Sequence, residues 1–426
     1  MESIIRRRVQ VLSHHITVLP EANPVLNPVL LRSGQVKHGD AEAVIIGGMV
    51  LDIHATPSTL TNPGTTTPGK VRYFLGGVAR NVAECMSKLG TKPYMISAVG
   101  LDFGGNMLLE HWKSAGLSTE GILKKKDIET PVVCIVYDLN GESAAAVASV
   151  EAIERYLTPE WISHFKGTIS YAPVLMVDAN LNLPSLEASC QMAAESECPV
   201  WFEPVSVAKS QRITSVFKYV TFASPNEDEL IAMANALSGG NVFLPLKHNH
   251  SKDNLSTVSL FHVLKPAIWV LLEKGIKLVV VTIGSDGVFL CCKGGPNCFR
   301  IPPEKTKHTG FSGQLYRTMM QKCPPNRYSD VSKHDRNSHL FAMHFPSLPA
   351  SVVRVTGAGD CLVGGTLASI CAGLDIMQSV AVGISAAKAA VEAEANVPSA
   401  FSVGAIADDA KSVYSAARVL FHQSMV

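Results

Sequence analysis

The chain has 426 residues, more than one α/β domain of ~300 residues needs and fewer than three domains would take. Apolar residues make up 47% and charged residues 17%, enough for a large buried core, and a formal net charge of +1 offers no global attraction for nucleic acid or an acidic membrane surface. Ten cysteines without paired CxxC spacing, no secretory leader and no apolar run long enough to span a bilayer point to a soluble protein of a reducing compartment.

Residues 1–40 read as a targeting segment or flexible arm outside the core. Arg6, Arg7 and Arg8 are consecutive, and Glu2 is the one acid before Glu21. Arg8-Val9, five intervening residues, then His15-Ile16 resembles a type 2 peroxisomal signal. A mitochondrial presequence and a plain tail of a cytoplasmic protein stay open beside it. The domain proper, residues 41–405, opens with the apolar run Val44–Ile46 ending in Gly47-Gly48, the pattern of a buried strand. A helix over 81–90 closed by Gly90, a strand over 92–100 and a helix over 104–116 follow. Buried strands are predicted at 174–180, 199–204 and 278–284, and a Gly-, Ala- and Leu-rich helix at 359–373. This alternation predicts an α/β fold, a central mostly parallel sheet with helices on both faces. Two stretches alternate with period two between turn residues, 54–75 and 130–148 (the second beginning near 128), and are expected to form a small β-strand lid. Residues 294–350 lack a sustained period and read as a long insertion loop; 406–426 read as a C-terminal helix. Cys291 and Cys292, adjacent on a strand, would point to opposite faces and so would not share a metal.

The densest chemical signal is VTGAGDCLVGG at 355–365. Gly357 and Gly359 remove side chains just before a helix, where successive N–H groups make a hole suited to a phosphate. Asp360 beside that hole can take a proton from an attacking hydroxyl. The same residues also suit a glycine turn with an N-capping aspartate, and the motif by itself does not decide between the two.

Other segments do. GGVARNVAECMSKLG (76–90) and VRVTGAGDCLVGG (353–365) resemble the two signatures of the PfkB, or ribokinase-like, carbohydrate kinases. AVGLDFGGNML (98–108) is similar to the family's Val-Gly-x-Asp stretch, although Phe103 and Gly104 follow Asp102 directly. SPNEDEL (224–230) carries its Asn-x-x-Glu element and VTIGSDG (281–287) its nucleotide strand. The resemblance implies a ribokinase-like three-layer sandwich and ATP with Mg²⁺ as cofactors. It implies Asp360 as base, with Gly357, Ala358 and Gly359 as the anion hole. Asp52, at the end of the first strand, would hold substrate hydroxyls with Asn81, while Gly76 and Gly77 hinge the lid. Asn226, Thr282, Gly284, Gly287 and Thr356 would border the nucleotide; Glu229 and, through water, Glu203 would serve the metal. Each has a plainer reading: Asp52 as a turn aspartate, Asn81 as a helix-start residue, Asn226 and Glu229 as a solvated helix terminus. The family's usual Asp-Thr-Thr is replaced here by Arg354, Val355 and Thr356, which puts a monovalent-cation site built on that aspartate in question.

Residues 47–58, 201–210 and 344–365 look most like the eukaryotic pseudouridine kinases within this family. That would make the substrate a nucleoside, phosphorylated at its 5′-hydroxyl. Asp178 and Asn180 would face the cleft from one strand end, and Glu203 and Lys209 from the next. Ribose, adenosine or another nucleoside remains as an alternative substrate, and a non-catalytic ribokinase-like binding protein as an alternative class. A dinucleotide oxidoreductase is excluded because GGMVLD after the first strand lacks GxGxxG. Lid strands in this family sometimes pair between subunits, so a homodimer and a monomer are both compatible with the sequence.

Overall fold

In a computed structural model, Val44, Ile45 and Ile46 are fully buried and form β1, a strand with helices on both sides. The structure describes residues 42–424 except 63, 140–142, 247–255, 296–304, 307 and 326–338. The Arg8–Ile16 pattern and the rest of the first segment lie outside the described residues.

After β1 the chain leaves the main sheet for β2 (Val50–Pro57) and β3 (Gly69–Gly76), then returns through helix α1 (Val78–Lys88) to β4 (Tyr94–Gly100). Helix α2 (Phe103–Ser114) and β5 (Ile122–Lys125) follow, and a second excursion gives β6 (Val132–Tyr137) and β7 (Ser143–Ser149). The chain then adds β8 (Leu175–Asp178), helix α3 (Leu183–Ala194), β9 (Val200–Glu203), β10 (Phe222–Ala223), helices α4 (Glu227–Ser238) and α5 (Thr257–Glu273), and β11 (Leu278–Thr282). Strands β1, β4, β5 and β8 to β11 run parallel to one another.

Three antiparallel strands extend one edge: β12 (Val288–Lys293), β13 (His339–Phe345) and β14 (Arg418–Ser424). The full order is β14-β13-β12-β11-β10-β9-β8-β1-β4-β5. Period two sorts side chains between the faces. Ile45 and Cys292 join one buried cluster, while Val44, Ile46 and Cys291 join the other, as the adjacent-cysteine reading required.

The expected lid is a separate sheet of order β3-β2-β6-β7. Three expectations need correction. Asp52 does not end the first strand: β1 stops at Ile46 and Asp52 is the third residue of lid strand β2. Residues 294–350 are not all loop, since they supply helix α6 (Gly310–Lys322) and β13. The C-terminal stretch is not one helix. After α7 (Ala358–Cys371) and α8 (Ile376–Val391), helix α9 (Val403–Ala416) ends and RVLFHQS pairs as β14 with the strand that the insertion contributes. A strand whose partner lies in an aperiodic insertion carries no local signal of its pairing.

Candidate active site

The winding of the sheet fixes where the cleft lies. From β1 the chain first builds outward to β4 and β5, then returns to build β8 on the other side, so the direction reverses around β1. Open α/β sheets bind ligands beyond the carboxyl ends of strands at such a reversal. There the Asp178 carboxylate, fully buried, accepts from the N–H of Gly48 (3.0 Å) and of Asn180 (3.0 Å). Asn180 Oδ1 accepts from Lys209 Nζ at 2.6 Å, which joins the two predicted strand-end pairs. At the end of β9 the Glu203 carboxylate accepts from the Ser224 hydroxyl, which itself accepts from the indole N–H of Trp201 (2.7 Å).

Helix α7 starts at this cleft. Gly357 caps it in the left-handed region, φ 87°, and a Cβ there would run into the Asn396 carbonyl. A Cβ on Gly359 would meet no protein atom within 4 Å, so that position is kept open toward the cleft. The first-turn N–H groups of Gly359 and Asp360 have no acceptor within the helix and are free for an anion. Asp360 accepts from Asn81 Nδ2 at 2.6 Å. Burial lifts its pKa to about 6; the Asn81 hydrogen bond and the Arg80 charge oppose the rise, and Asp178 and Asp52 add to it. Burial also drives Glu203 well above the ordinary range, with Glu229, Asp360 and Asp178 adding to the rise. Several carboxyl groups therefore share one poorly solvated field, the setting that produces shifted bases in active sites.

The lid joins the core at Gly76-Gly77. Gly77 has φ 95°, and a Cβ on it would collide with the Gly48 carbonyl. Asp52 accepts from Asn396 Nδ2 (3.2 Å), and burial raises its pKa. Arg354 lies over the Phe74 ring, 3.8 Å from its centre, and donates to His54 Nδ1 (3.0 Å) and Asn396 Oδ1 (3.2 Å). The Tyr137 hydroxyl lies 3.2 Å from the same His54 nitrogen.

Not every predicted residue joins this centre. Asn226 and Glu229 form a reciprocal capping box at the start of α4, each side chain accepting from the other's backbone N–H (2.9 Å both). Thr282 is bridged to Asn226 across neighbouring strands, which carries α4's start and the β11 end to one place. Gly284 is open, whereas Gly287 is packed so that a Cβ would meet the Phe345 carbonyl, a structural reason for that glycine. Thr356 is exposed just before Gly357, the cap of α7. Asp102 caps α2 and accepts from Thr130 N (2.8 Å) and Oγ1 (2.6 Å), which locks the entry to the second lid hairpin. Sequence reasoning missed Arg80, Asn396 and the partners of Arg354. A charged residue inside the apolar face Ala79, Val82, Ala83 was a legible signal for Arg80; Asn396 sits in a loop without a motif.

The profile of the pfkB family carbohydrate kinases matches residues 40–309 and 336–399. The chain belongs to the pfkB family. Among family relatives it is 55% identical to a pseudouridine kinase of Arabidopsis thaliana, over 90% of this chain and 100% of that one. It is 25% identical to a pseudouridine kinase of Escherichia coli strain K12, over 79% and 86%. The Arabidopsis thaliana ribokinase complexed with ribose and ATP shares the fold at a TM-score of 0.64 and 16% identity, over 87% and 99%. A Methanocaldococcus jannaschii nucleoside kinase does so at 0.59 and 17%, over 87% and 98%.

Proposed function

We propose that this pfkB-family chain transfers the terminal phosphoryl group of ATP to the 5′-hydroxyl of pseudouridine, with Asp360 as general base. The observation that carries this reading is the placement of Asp360. It sits in the first turn of α7 beside N–H groups without helical acceptors, is held by Asn81 at 2.6 Å, and has its pKa raised to about 6. A base with that pKa is ionised at neutral pH yet basic enough to accept a hydroxyl proton as the bond to phosphorus forms. The proton passes from the 5′-oxygen to the Asp360 carboxylate, the oxygen attacks the terminal phosphorus, and ADP leaves. Gly357, Ala358 and Gly359 turn the backbone so that first-turn N–H groups meet the charge on the transferring group. Asp52, on lid strand β2, and Asn81, on α1, would grip the sugar between lid and core, and lid closure would keep water from the phosphorus.

The choice of nucleoside is supported by the 55% identity to a protein named for pseudouridine. A divalent cation fits the chemistry of the floor. Glu203 and Glu229 are carboxyls pushed upward by burial and by neighbouring acids, an environment that a cation would relieve. Among the described residues no three His, Cys, Asp or Glu side chains are grouped to ligate an ion directly. That suits Mg²⁺ bound mainly by phosphates and water, with Glu203 and Glu229 addressing its water shell; bound there, Mg²⁺ would neutralise phosphate charge.

The test is ADP release from ATP–Mg²⁺ against pseudouridine, uridine, adenosine and ribose, with mass analysis of the product. Turnover on pseudouridine above the others is expected. Preferential turnover of another member would overturn the substrate, and a folded, ATP-binding protein silent on all four would overturn the reading. Peroxisomal delivery is proposed from Arg8–Ile16 alone: a fluorescent protein placed after residues 1–40 should collect in peroxisomes and disperse when Arg8 and His15 are replaced by alanine.

A further inference from the structure

Arg80 lies behind the base rather than in the cleft, only 2% exposed and flanked by buried Ala79, Val82 and Ala83. A guanidinium donates and never accepts. Its Nε donates to the Gly76 carbonyl (2.9 Å), and its Nη2 to the Leu75 carbonyl (2.6 Å) and to Asn81 Oδ1. Its Nη1 meets Glu84, which is gripped from the other side by Lys88 Nζ (2.6 Å) and His111 Nε2 (3.0 Å). Because the Asn81 oxygen is turned to a donor-only group, its NH₂ is left to face the Asp360 carboxylate. Without Arg80 the amide could equally present its oxygen, which would repel the carboxylate.

We infer that Arg80 is a positioning residue for phosphoryl transfer, setting the Asn81 amide that orients the Asp360 carboxylate and tying that amide to the lid hinge through the Leu75 and Gly76 carbonyls. The inference rests on the reading of Asp360 as base. The groups facing Asp360 are Asn81 and Arg80 from α1, Asp52 from the lid, Asp178 from the end of β8 and Glu203 from the end of β9. Arg80 is the cation of that set.

A buried Arg–Glu pair could also serve the fold alone, and the test separates the two roles. Arg80→Met with Glu84→Leu replaces the pair by apolar side chains of similar volume, a change folded proteins commonly tolerate. The Lys88 and His111 side chains, 20% and 38% exposed, can turn to water. In the full chain, calorimetric ADP affinity, kcat, KM for pseudouridine and the pH profile are measured for this variant, for Arg80→Lys, for Asn81→Ala and for the combinations. Expected are parental ADP affinity, a kcat lower by ~10²-fold and an acid limb moved to higher pH. Combination with Asn81→Ala should add little, because the two act in one chain. A folded variant with parental kcat overturns the inference, and so do losses that multiply with Asn81→Ala. If Arg80→Met with Glu84→Leu does not fold, Arg80→Lys carries the same readouts. Asp360→Asn run alongside separates the two readings. If it abolishes turnover while the Arg80 variants keep parental kcat, the positioning role alone is lost; if it retains turnover, the assignment of the base is lost.

Discussion

As the proposed base, Asp360 would pull catalysis and stability in opposite directions. Folding raises its pKa from the ordinary 3.8 to about 6. Below about pH 4 the group is protonated in folded and unfolded chains alike and the shift costs nothing; above about pH 6 the poorly solvated carboxylate opposes folding in full. Asp360→Asn should therefore lower kcat by ~10²–10⁴-fold. It should also raise the melting temperature by roughly 2–4 °C at pH 8, a gain that fades toward pH 4. A variant as active as the parent, or one destabilised at pH 8, would contradict the assignment. In the parent enzyme, kcat/KM should climb with unit slope up to about pH 6 and level off above it. The motif around Asp360 stood out because the chemistry proposed for it confines a base and its glycines to a few consecutive residues. The role of Asn226 and Glu229 was read less fully, since a capping box and a metal-side pair share the same spacing, and only the structure shows both side chains engaged with backbone.

Among the elements, α7 tests why a glycine stands where it does. At Gly357 the backbone is left-handed and the Asn396 carbonyl fills the space a Cβ would need. Gly357→Ala should cost about 1–2 kcal/mol for the backbone alone, and more from the collision, read as a lower unfolding midpoint. Gly359 meets no neighbour, so Gly359→Ala should unfold like the parent and yet lose ~10²-fold in kcat/KM, because its methyl enters the phosphate's space. Equal effects on stability from the two changes would refute this division. Strands β1, β4, β8, β9 and β11, helices α1 and α2 and both lid hairpins were legible from period and punctuation; β5, β10 and β12 were not. Their order in the sheet was not, because local pattern sets an element's type while neighbours are chosen by long-range packing. The Arg354 contacts with Phe74 and His54 were hidden for the same reason: they lie about 300 residues apart in sequence.

For the whole molecule, the antiparallel edge shows how the insertion and the chain's last strand depend on each other. β13 comes from the aperiodic stretch and is covered by β14, whose Leu420 and Phe421 pack against the core on one face of the sheet. Truncation after Ala417 should cost roughly 2–4 kcal/mol from those two side chains. It should also leave β13 as a bare edge prone to pairing with other chains, visible as a lower melting temperature and increased light scattering. Unchanged melting and scattering would mean that β14 is dispensable. At the opposite side of the same sheet, buried Trp201 stacks on Phe222 and donates through the Ser224 hydroxyl to Glu203. An indole one hydroxyl away from a cleft carboxylate is a built-in optical probe. Its ultraviolet emission should respond when that carboxylate gains a proton or a cation approaches, so loading of the cleft could be followed without a label and without turnover.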